Sequence, residues 1–240
     1  MERNEYKHLT NVFVPFLVLY FSRQFFSLLL IRMGIGGEIA GYIPFLASAA
    51  LSAITFFALS KTGIRTDHER IPVRRTALQI AGMISVLVIL MYIVALITPR
   101  EETIERTGLV SGLFSVIVFP FAEEYIFRYL YYRELRNMSP VLGITIQAVM
   151  FAIVHSSVKE MIFALLAGIV LGIGAETCDR YFSVVFVHAF INLRSFLYAS
   201  YITYIPVQIS IDSVIIIVGV FSLMVLFRRK MRNGRNAYVD

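Results

Sequence analysis

Long apolar runs constrain this chain more than any other feature of its sequence. Each run is close to the roughly 20 residues that a helix needs to cross a bilayer. The 240-residue chain is 58% hydrophobic and only 16% charged, whereas soluble domains are about a quarter charged. The runs are Val12–Ile31, Ile39–Ser60, Ala77–Thr98, Gly108–Tyr131, Pro140–Ser156, Lys159–Glu176, Tyr181–Ser200 and Ile209–Phe227. The sequence therefore predicts an all-α, polytopic membrane helix bundle with about eight transmembrane helices.

Basic residues are distributed unequally between the predicted loops. An even number of spans places both termini on one side, and that side would carry 15 of the 22 Lys and Arg residues, against 4 on the other side. The positive-inside rule therefore predicts that both termini are cytoplasmic. The same asymmetry explains most of the net charge of +6, so no nucleic-acid partner is expected. The three remaining arginines, Arg23, Arg128 and Arg194, lie inside predicted spans.

No feature of the sequence divides the chain into separate units. We expect a single integral membrane domain over residues 1–240, with a motif-bearing core at about 108–200. The first apolar run is too long for a cleaved signal peptide. Cys178 is the only cysteine, so no disulfide framework and no thiolate metal site is expected. The longest loops, Lys61 to Thr76 and the tail after Phe227, are predicted to be short cytoplasmic connectors.

The fourth predicted span contains the sequence FAEEYIFR, residues 121–128. An ionisable group deep in a membrane costs a few kcal/mol even on lenient insertion scales. Glu124 and Arg128 are four residues apart, so they share one helical face and can form an ion pair. Glu123 is turned by about 100° from Glu124, so the two carboxylates point into different surroundings.

Two further pairs of residues at helical spacing occur in the fifth and seventh predicted spans, and each pair includes a histidine. Phe151 and His155 are four residues apart in FAIVH, and His188 and Asn192 are four apart in HAFIN. This spacing predicts one polar stripe on each of three helices. The stripes can converge only if they face a shared interior cavity.

The chemistry of these side chains favours catalysis when they are taken together. One acid, two imidazoles and an amide are the groups needed to activate water and to stabilise an oxyanion. Taken singly, an intramembrane histidine is often only a hydrogen-bonding bridge between helices, and a Glu–Arg pair is often structural. A transporter or proton relay, and a non-catalytic scaffold, are the alternatives to an enzyme.

The three motifs occur in a recognisable order. EEYIFR fits EExxxR, FAIVH fits FxxxH and HAFIN fits HxxxN. From about Gly108 to Leu193 the chain resembles the CPBP family of intramembrane proteases (CAAX proteases and bacteriocin-processing enzymes, also called Abi). Its best-known branch is the Ras-converting type of CAAX prenyl endopeptidase.

The resemblance implies an intramembrane endopeptidase that acts on a membrane-associated peptide or protein. A prenylated CAAX protein is one candidate substrate, and a bacteriocin leader or a role in immunity is another. The protein would be a multi-pass protein of a prokaryotic plasma membrane or of an endoplasmic-reticulum-type membrane. Its active site is expected to open toward the cytoplasm.

Family roles carry over to this chain by motif position. Glu123 would be the general base that takes a proton from water, and His155 would share and polarise that water. His188 and Asn192 would donate hydrogen bonds to the oxyanion. The supporting residues would be Glu124, Arg128, which we expect to compensate a carboxylate, and Phe151.

The sequence does not decide whether a metal ion takes part in the reaction. Glu123, His155 and His188 would make a two-His, one-Glu zinc set with an open position, and the family is often labelled a metalloprotease. No HExxH helix is present, however, and Asn192 is a poor zinc ligand. Metal-free glutamate catalysis is the alternative, so no cofactor is assigned and zinc is kept as a candidate.

Four residues outside the motifs carry predictions about helix shape and packing. Pro120 should kink the fourth helix by freeing the carbonyl of Val116. Gly168 and Gly172 form a GxxxG pattern that lets the sixth helix approach a neighbour closely. Gln147 shares a face with Phe151 and His155, which makes it a candidate cavity residue.

Arg194 and Asp212 lie near the predicted membrane ends, and three interpretations are open. The two side chains could pair with each other. They could instead snorkel separately to the interface. In the third interpretation, Arg194 would bind the C-terminal carboxylate of a substrate.

Overall fold

The computed structural model describes residues 3–37, 39–60, 72–98, 108–178 and 181–236. These residues are helical almost throughout and include no strand, which confirms the all-α class. A short 3-10 turn, Ile39–Gly41, precedes the second helix. The helices are α1 Arg3–Arg32, α2 Ile43–Leu59, α3 Val73–Ile97, α4 Leu109–Arg136, α5 Pro140–Ile153, α6 Val158–Cys178, α7 Tyr181–Ser200 and α8 Ile205–Asn236.

The helices differ in whether they are long enough to cross a membrane. Within the described ranges, six are long and apolar enough: α1, α3, α4, α6, α7 and α8. The other two, α2 and α5, have 17 and 14 residues, which at 1.5 Å per residue is less than a full crossing. Every predicted apolar run is thus a helix, and the chain has the helices of an integral membrane protein. The count of eight complete crossings and the sidedness of the termini remain predictions.

Several predicted boundaries were wrong, among them the start of the first helix, which begins at Arg3 rather than Val12. The fifth helix ends at Ile153 rather than Ser156, because a capping box starts the next helix immediately. In that box the Ser157 N–H donates to Glu160 Oε2 at 3.2 Å, and the Glu160 N–H donates to Ser157 Oγ at 3.2 Å. The eighth helix continues to Asn236, so the predicted connector after Phe227 is helical. Most of the predicted Lys61 to Thr76 loop lies outside the described residues, and α3 begins within it at Val73.

Two buried apolar clusters organise the packing. The first joins α1, α2, α4, α5 and α6, with Phe16, Phe56, Phe127 and Tyr131 among its large side chains. The second joins α3, α6 and α7. Because α6 contributes to both clusters and α4 also contacts α7, the polar motif residues of α4 and α7 meet between the two.

The GxxxG pattern of α6 packs against α5, as predicted. A Cβ at Gly168 would lie 2.9 Å from the Cα of Ala148, and one at Gly172 would lie 2.7 Å from Nε2 of Gln147. Gln147 Nε2 donates to the Gly168 carbonyl at 2.8 Å. The prediction that Gln147 lines the cavity was therefore wrong, because its amide joins the two helices.

The fourth helix is distorted on both sides of Pro120. Its segments Phe114–Val118 and Tyr125–Tyr132 are wound as π-helix. A proline has no N–H to donate to the helix ladder, and the N–H of Phe119 donates to the carbonyl of Phe114. Such π winding is frequent at functional sites, and the predicted kink at Pro120 stays a prediction.

Candidate active site

The adjacent carboxylates of α4 have different surroundings. The side chain of Glu124 is fully buried, whereas that of Glu123 is 15% exposed. Glu124 Oε1 lies 3.0 Å from Arg128 Nη1 and 2.7 Å from His188 Nδ1. Glu123 Oε2 lies 3.6 Å from His188 Nε2. His188 therefore has one carboxylate beside each of its ring nitrogens.

Arg128 compensates the charge of Glu124, and its guanidinium also lies 4.3 Å from the centre of the Phe151 ring. Such stacking is a favourable cation–π arrangement. In the described part of the chain, the three side-chain nitrogens of Arg128 make no hydrogen bond that meets the geometric criteria. The same is true of Glu124 Oε2. Buried polar atoms without a partner are unusual, and here they lie beside both carboxylates.

Phe151 is the common contact of the three motifs. Its ring lies 4.9 Å from the His155 ring and 5.9 Å from the His188 ring, both edge to face. The ring also carries the Arg128 guanidinium. The side chain is buried, so this phenylalanine fills the space between the polar groups of α4, α7 and the end of α5.

His155 lies beyond the end of α5, not on its helical face as predicted. Its Nδ1 is 2.8 Å from the Phe151 carbonyl. Because a carbonyl only accepts, Nδ1 carries the proton, and the Nε2 of the neutral ring can then accept a hydrogen bond. The imidazole is within electrostatic range of Glu123. The FxxxH spacing therefore brings the His155 ring to the Phe151 carbonyl at the end of α5. It does not place the two side chains on one face of a helix.

Asn192 lies one turn beyond His188 on α7. Its Nδ2 donates to the backbone carbonyl of Ser115 at 2.8 Å. Ser115 belongs to the first π-wound segment of α4, and it is a contact that motif spacing did not reveal. The amide has a second N–H with which to donate.

Three tyrosines near the site were also missed by sequence reasoning. Together with Arg128, the side chains of Tyr129, Tyr132 and Tyr181 line a small cavity between α4, α6 and α7. The Tyr181 hydroxyl donates to the Phe121 carbonyl at 2.6 Å, which ties the start of α7 to α4. For Tyr129 the sequence did contain a signal, because Tyr125 and Tyr129 are four residues apart and directly follow the two acids.

Arg194 and Asp212 pair, which confirms the first of the three interpretations. Arg194 Nε donates to Asp212 Oδ1 at 2.8 Å. The hydroxyls of Tyr92 and Tyr198 donate to the same carboxylate at 2.6 and 3.0 Å. Separate snorkelling is excluded by this pairing, and an Arg194 already bound to the chain's own carboxylate is a poor receptor for a substrate carboxylate.

The predicted zinc ligands do not form a metal centre in this arrangement. Within the described ranges, no three His, Cys, Asp or Glu side chains converge so as to hold a metal ion. His188 Nδ1 is bonded to Glu124, and His155 Nδ1 is bonded to a carbonyl. Metal-binding histidines commonly make such Nδ1 contacts while Nε2 binds the metal, so metal dependence stays a prediction.

Comparison with known proteins identifies the segment that contains these residues. Residues 105–194 match the sequence model of a family described as type II CAAX prenyl endopeptidase Rce1-like. Neither the curated proteins nor the solved structures include a significant match. The matched segment holds all three motifs, so the resemblance found in the sequence is confirmed. The part of the chain that forms the site is therefore similar in sequence to the Rce1-like family of type II CAAX prenyl endopeptidases.

Proposed function

We propose that this integral membrane protein is an intramembrane endopeptidase in which Glu123 activates a water molecule. One observation carries the proposal, namely the difference between the two adjacent carboxylates. Glu124 is buried and contacts Arg128 and His188, whereas Glu123 is partly exposed and lies 3.6 Å from the imidazole of His188. One acid is therefore structural and the other is available to take a proton.

The proposed reaction uses four side chains of the site. Water attacks the carbonyl carbon of the peptide bond while Glu123 takes one of its protons, and His155 Nε2 accepts the second hydrogen bond of the water. The negative oxygen of the tetrahedral intermediate then accepts hydrogen bonds from His188 Nε2–H and Asn192 Nδ2–H. Glu123 returns its proton to the leaving nitrogen as the C–N bond breaks. The products are a carboxylic acid and an amine.

Glu124 acts on His188 rather than on the substrate. By accepting the Nδ1–H bond at 2.7 Å, it fixes the orientation of the ring and leaves Nε2 directed toward Glu123. When both ring nitrogens carry a proton, the ring donates to Glu124 from Nδ1 and can donate from Nε2 to a substrate oxygen. Arg128 in turn balances the charge of Glu124.

The proposed substrate is a membrane-associated peptide or protein with a prenylated CAAX end. At family level the substrate is membrane-associated, and the prenyl group is the finer part of the proposal. The tyrosine-lined cavity beside Arg128 lies toward the Arg133–Arg136 end of α4, which the positive-inside rule assigns to the cytoplasm. We therefore propose entry from the cytoplasmic side, in a prokaryotic plasma membrane or an endoplasmic-reticulum-type membrane.

A proton relay is the second candidate function. The Glu124–His188–Glu123 arrangement is a carboxylate–imidazole–carboxylate chain, and such chains occur in proton-moving membrane proteins. The relay predicts proton flux across a vesicle without peptide cleavage, so one preparation can separate the two functions.

The test uses the full-length purified protein in vesicles, with a farnesylated CAAX peptide and the same peptide without the lipid. We expect wild type to cleave the farnesylated peptide. Glu123→Gln should lower the rate by about 10²- to 10⁴-fold, because it removes the general base, and His188→Ala should also lower it. Glu5→Gln is the matched control, since Glu5 lies in the first turn of α1, on a different helix from the two acids.

Three outcomes contradict the proposal. They are no cleavage of either peptide by wild type, full activity of Glu123→Gln, and proton flux without cleavage. A chelator arm addresses zinc: loss of activity that is restored by zinc alone would show that a metal takes part.

A further inference from the structure

Two arginines of α4 line one small cavity between α4, α6 and α7. The wall of this cavity includes Arg128, Arg133, Ala175, Tyr129, Tyr132 and Tyr181. In a regular α-helix, side chains five residues apart, such as those of Arg128 and Arg133, would point about 140° away from each other. The segment Tyr125–Tyr132 is wound as π-helix, in which hydrogen bonds join residues five apart. The winding therefore brings the two guanidinium groups toward the same side of α4.

Both guanidinium groups have buried N–H donors that make no hydrogen bond. Arg128 is 2% exposed, and its three side-chain nitrogens have no acceptor in the described part of the chain. Nη1 of Arg133 is also buried and without an acceptor there. Its guanidinium lies 4.5 Å from the centre of the Tyr129 ring, a contact that uses the face of the group and leaves its N–H donors free. Buried donors without an acceptor are rare in folded proteins, so a ligand that accepts hydrogen bonds is expected here.

The charges of the cavity wall favour an anion over a water molecule. Glu124 balances the charge of Arg128, with 3.0 Å between the nearest atoms. Glu176 pairs with Arg136 at 2.7 Å, and within the described ranges no carboxylate pairs with Arg133. Water would satisfy the N–H donors, but only an anion would also balance the remaining positive charge, which is costly at the end of a membrane-spanning helix.

The size of the cavity limits what can bind. About 20 Å³ is open to the centre of a water-sized molecule, and a single water needs roughly 10–15 Å³ on the same measure. The space therefore holds one particle of about that size and is too small for a phosphate group or a peptide carboxylate together with the chain that carries it.

We propose that this cavity binds a small inorganic anion, chloride or one of similar size, between Arg128 and Arg133. The anion accepts hydrogen bonds from both guanidinium groups and holds Arg128 on the side opposite Glu124. Because Glu124 in turn orients His188, the anion stabilises the arrangement of the site without contacting a substrate. This inference does not depend on proteolysis.

Thermal unfolding of the purified full-length protein in detergent tests the proposal. Chloride is titrated against gluconate, an anion too large for the cavity, at constant ionic strength, so the screening of surface charges stays the same. Chloride should raise the Tm of wild type saturably by about 3–10 °C, as expected for a ligand that binds only the folded state. Equal Tm values in chloride and gluconate would overturn the proposal and would indicate that water fills the cavity.

Two substitutions in the cavity and one outside it show where the anion acts. Arg133→Gln removes one of the two charges, and Ala175→Leu fills the space while both charges remain. Each variant should lose the chloride-dependent rise in Tm. Arg229→Gln is the matched control, because Arg229 is exposed on α8, and it should keep the full rise. Persistence of the rise in either cavity variant would overturn the proposal.

Bromide locates the ion directly and needs no substitution, so this arm decides the question even if a variant fails to fold. Crystals of wild type grown with bromide in place of chloride should show an anomalous difference peak between the two guanidinium groups. Absence of the peak overturns the proposal, and a peak without the rise in Tm would mark an adventitious ion only. A protein that binds bromide here but cleaves no peptide would retain this anion site and contradict the proposed protease.

Discussion

At the scale of single residues, the environment of Glu124 explains how the membrane tolerates charge at this site. The carboxylate is fully buried, and two cationic or protonated groups, Arg128 and His188, lie within 3.0 Å. Removing one partner of a buried pair leaves an uncompensated charge, which costs far more than the pair itself contributes. The stability of α4 therefore depends on Glu124 more than on any exposed acid of the chain.

Glu124→Gln should lower the free energy of unfolding by about 3–5 kcal/mol, because it leaves the buried Arg128 without its counter-charge. Reversible unfolding by SDS titration in mixed micelles measures this change. The double variant Glu124→Gln/Arg128→Met should recover part of the loss, because the charge is no longer buried alone.

Glu176→Gln is the control for that measurement. Its pair with Arg136 is about a quarter to a third exposed on each side, and exposed pairs contribute about 0–1 kcal/mol. Equal destabilisation by Glu124→Gln and Glu176→Gln would show that the buried pair has no special role.

At the scale of helices, the α5–α6 hairpin positions His155. The hairpin is closed by the Ser157–Glu160 capping box and held together by the contact of Gly168 with Ala148. Arg23 of α1 binds the carbonyl just before His155. The histidine is thus placed by a helix end, a turn and a distant arginine.

Gly168→Ala should destabilise the protein by about 1–3 kcal/mol, the range for overpacking. The added methyl group would meet backbone at 2.9 Å, which cannot move aside as a flexible side chain can. Thermal unfolding in detergent gives the stability, and a peptide assay gives the activity, which should fall if α5 shifts. Gly36→Ala serves as the matched control, because a Cβ there meets nothing within 4 Å. An unchanged Gly168→Ala protein would contradict the close packing.

The sequence predicted the existence of these helices but not how α5 ends. Apolar runs define helices because a membrane requires every backbone group to be paired internally. The end of α5 was predicted three residues too late because the apolar run set the boundary, and the S-x-x-E capping signal of Ser157 and Glu160 was not used. The bond from Arg23 to Val154 joins residues 131 positions apart, and no local pattern predicts it.

At the scale of the whole molecule, the motif order was sufficient to predict which helices meet. The sequence placed acids on the fourth helix and imidazoles on the fifth and seventh, and the contacts of Phe151 and His188 join these three elements. It could not predict which carboxylate stays accessible, because that depends on the rotation of α4 against α7. Sidedness rests on the charge of loops and helix ends, of which Arg65, Arg70, Arg100, Arg106 and Arg180 lie outside the described residues.

Single-cysteine labelling tests the sidedness. In a Cys178→Ser background, Asn137→Cys in the exposed α4–α5 turn should react with a membrane-impermeant maleimide only from the cytoplasmic side. Gly36→Cys, between α1 and α2, should react only from the opposite side. The reverse pattern would contradict the orientation assigned by the basic residues.

The π winding of Tyr125–Tyr132 makes the number of residues in α4 as important as their chemistry. The two acids precede this segment, and Glu134, which Asn11 binds from α1 at 2.7 Å, follows it. Loss of one residue between them would rotate everything downstream by about 100° and would turn Glu134 away from Asn11. Relatives that share this architecture should therefore differ here by exchanges of side chains, while insertions and deletions accumulate elsewhere.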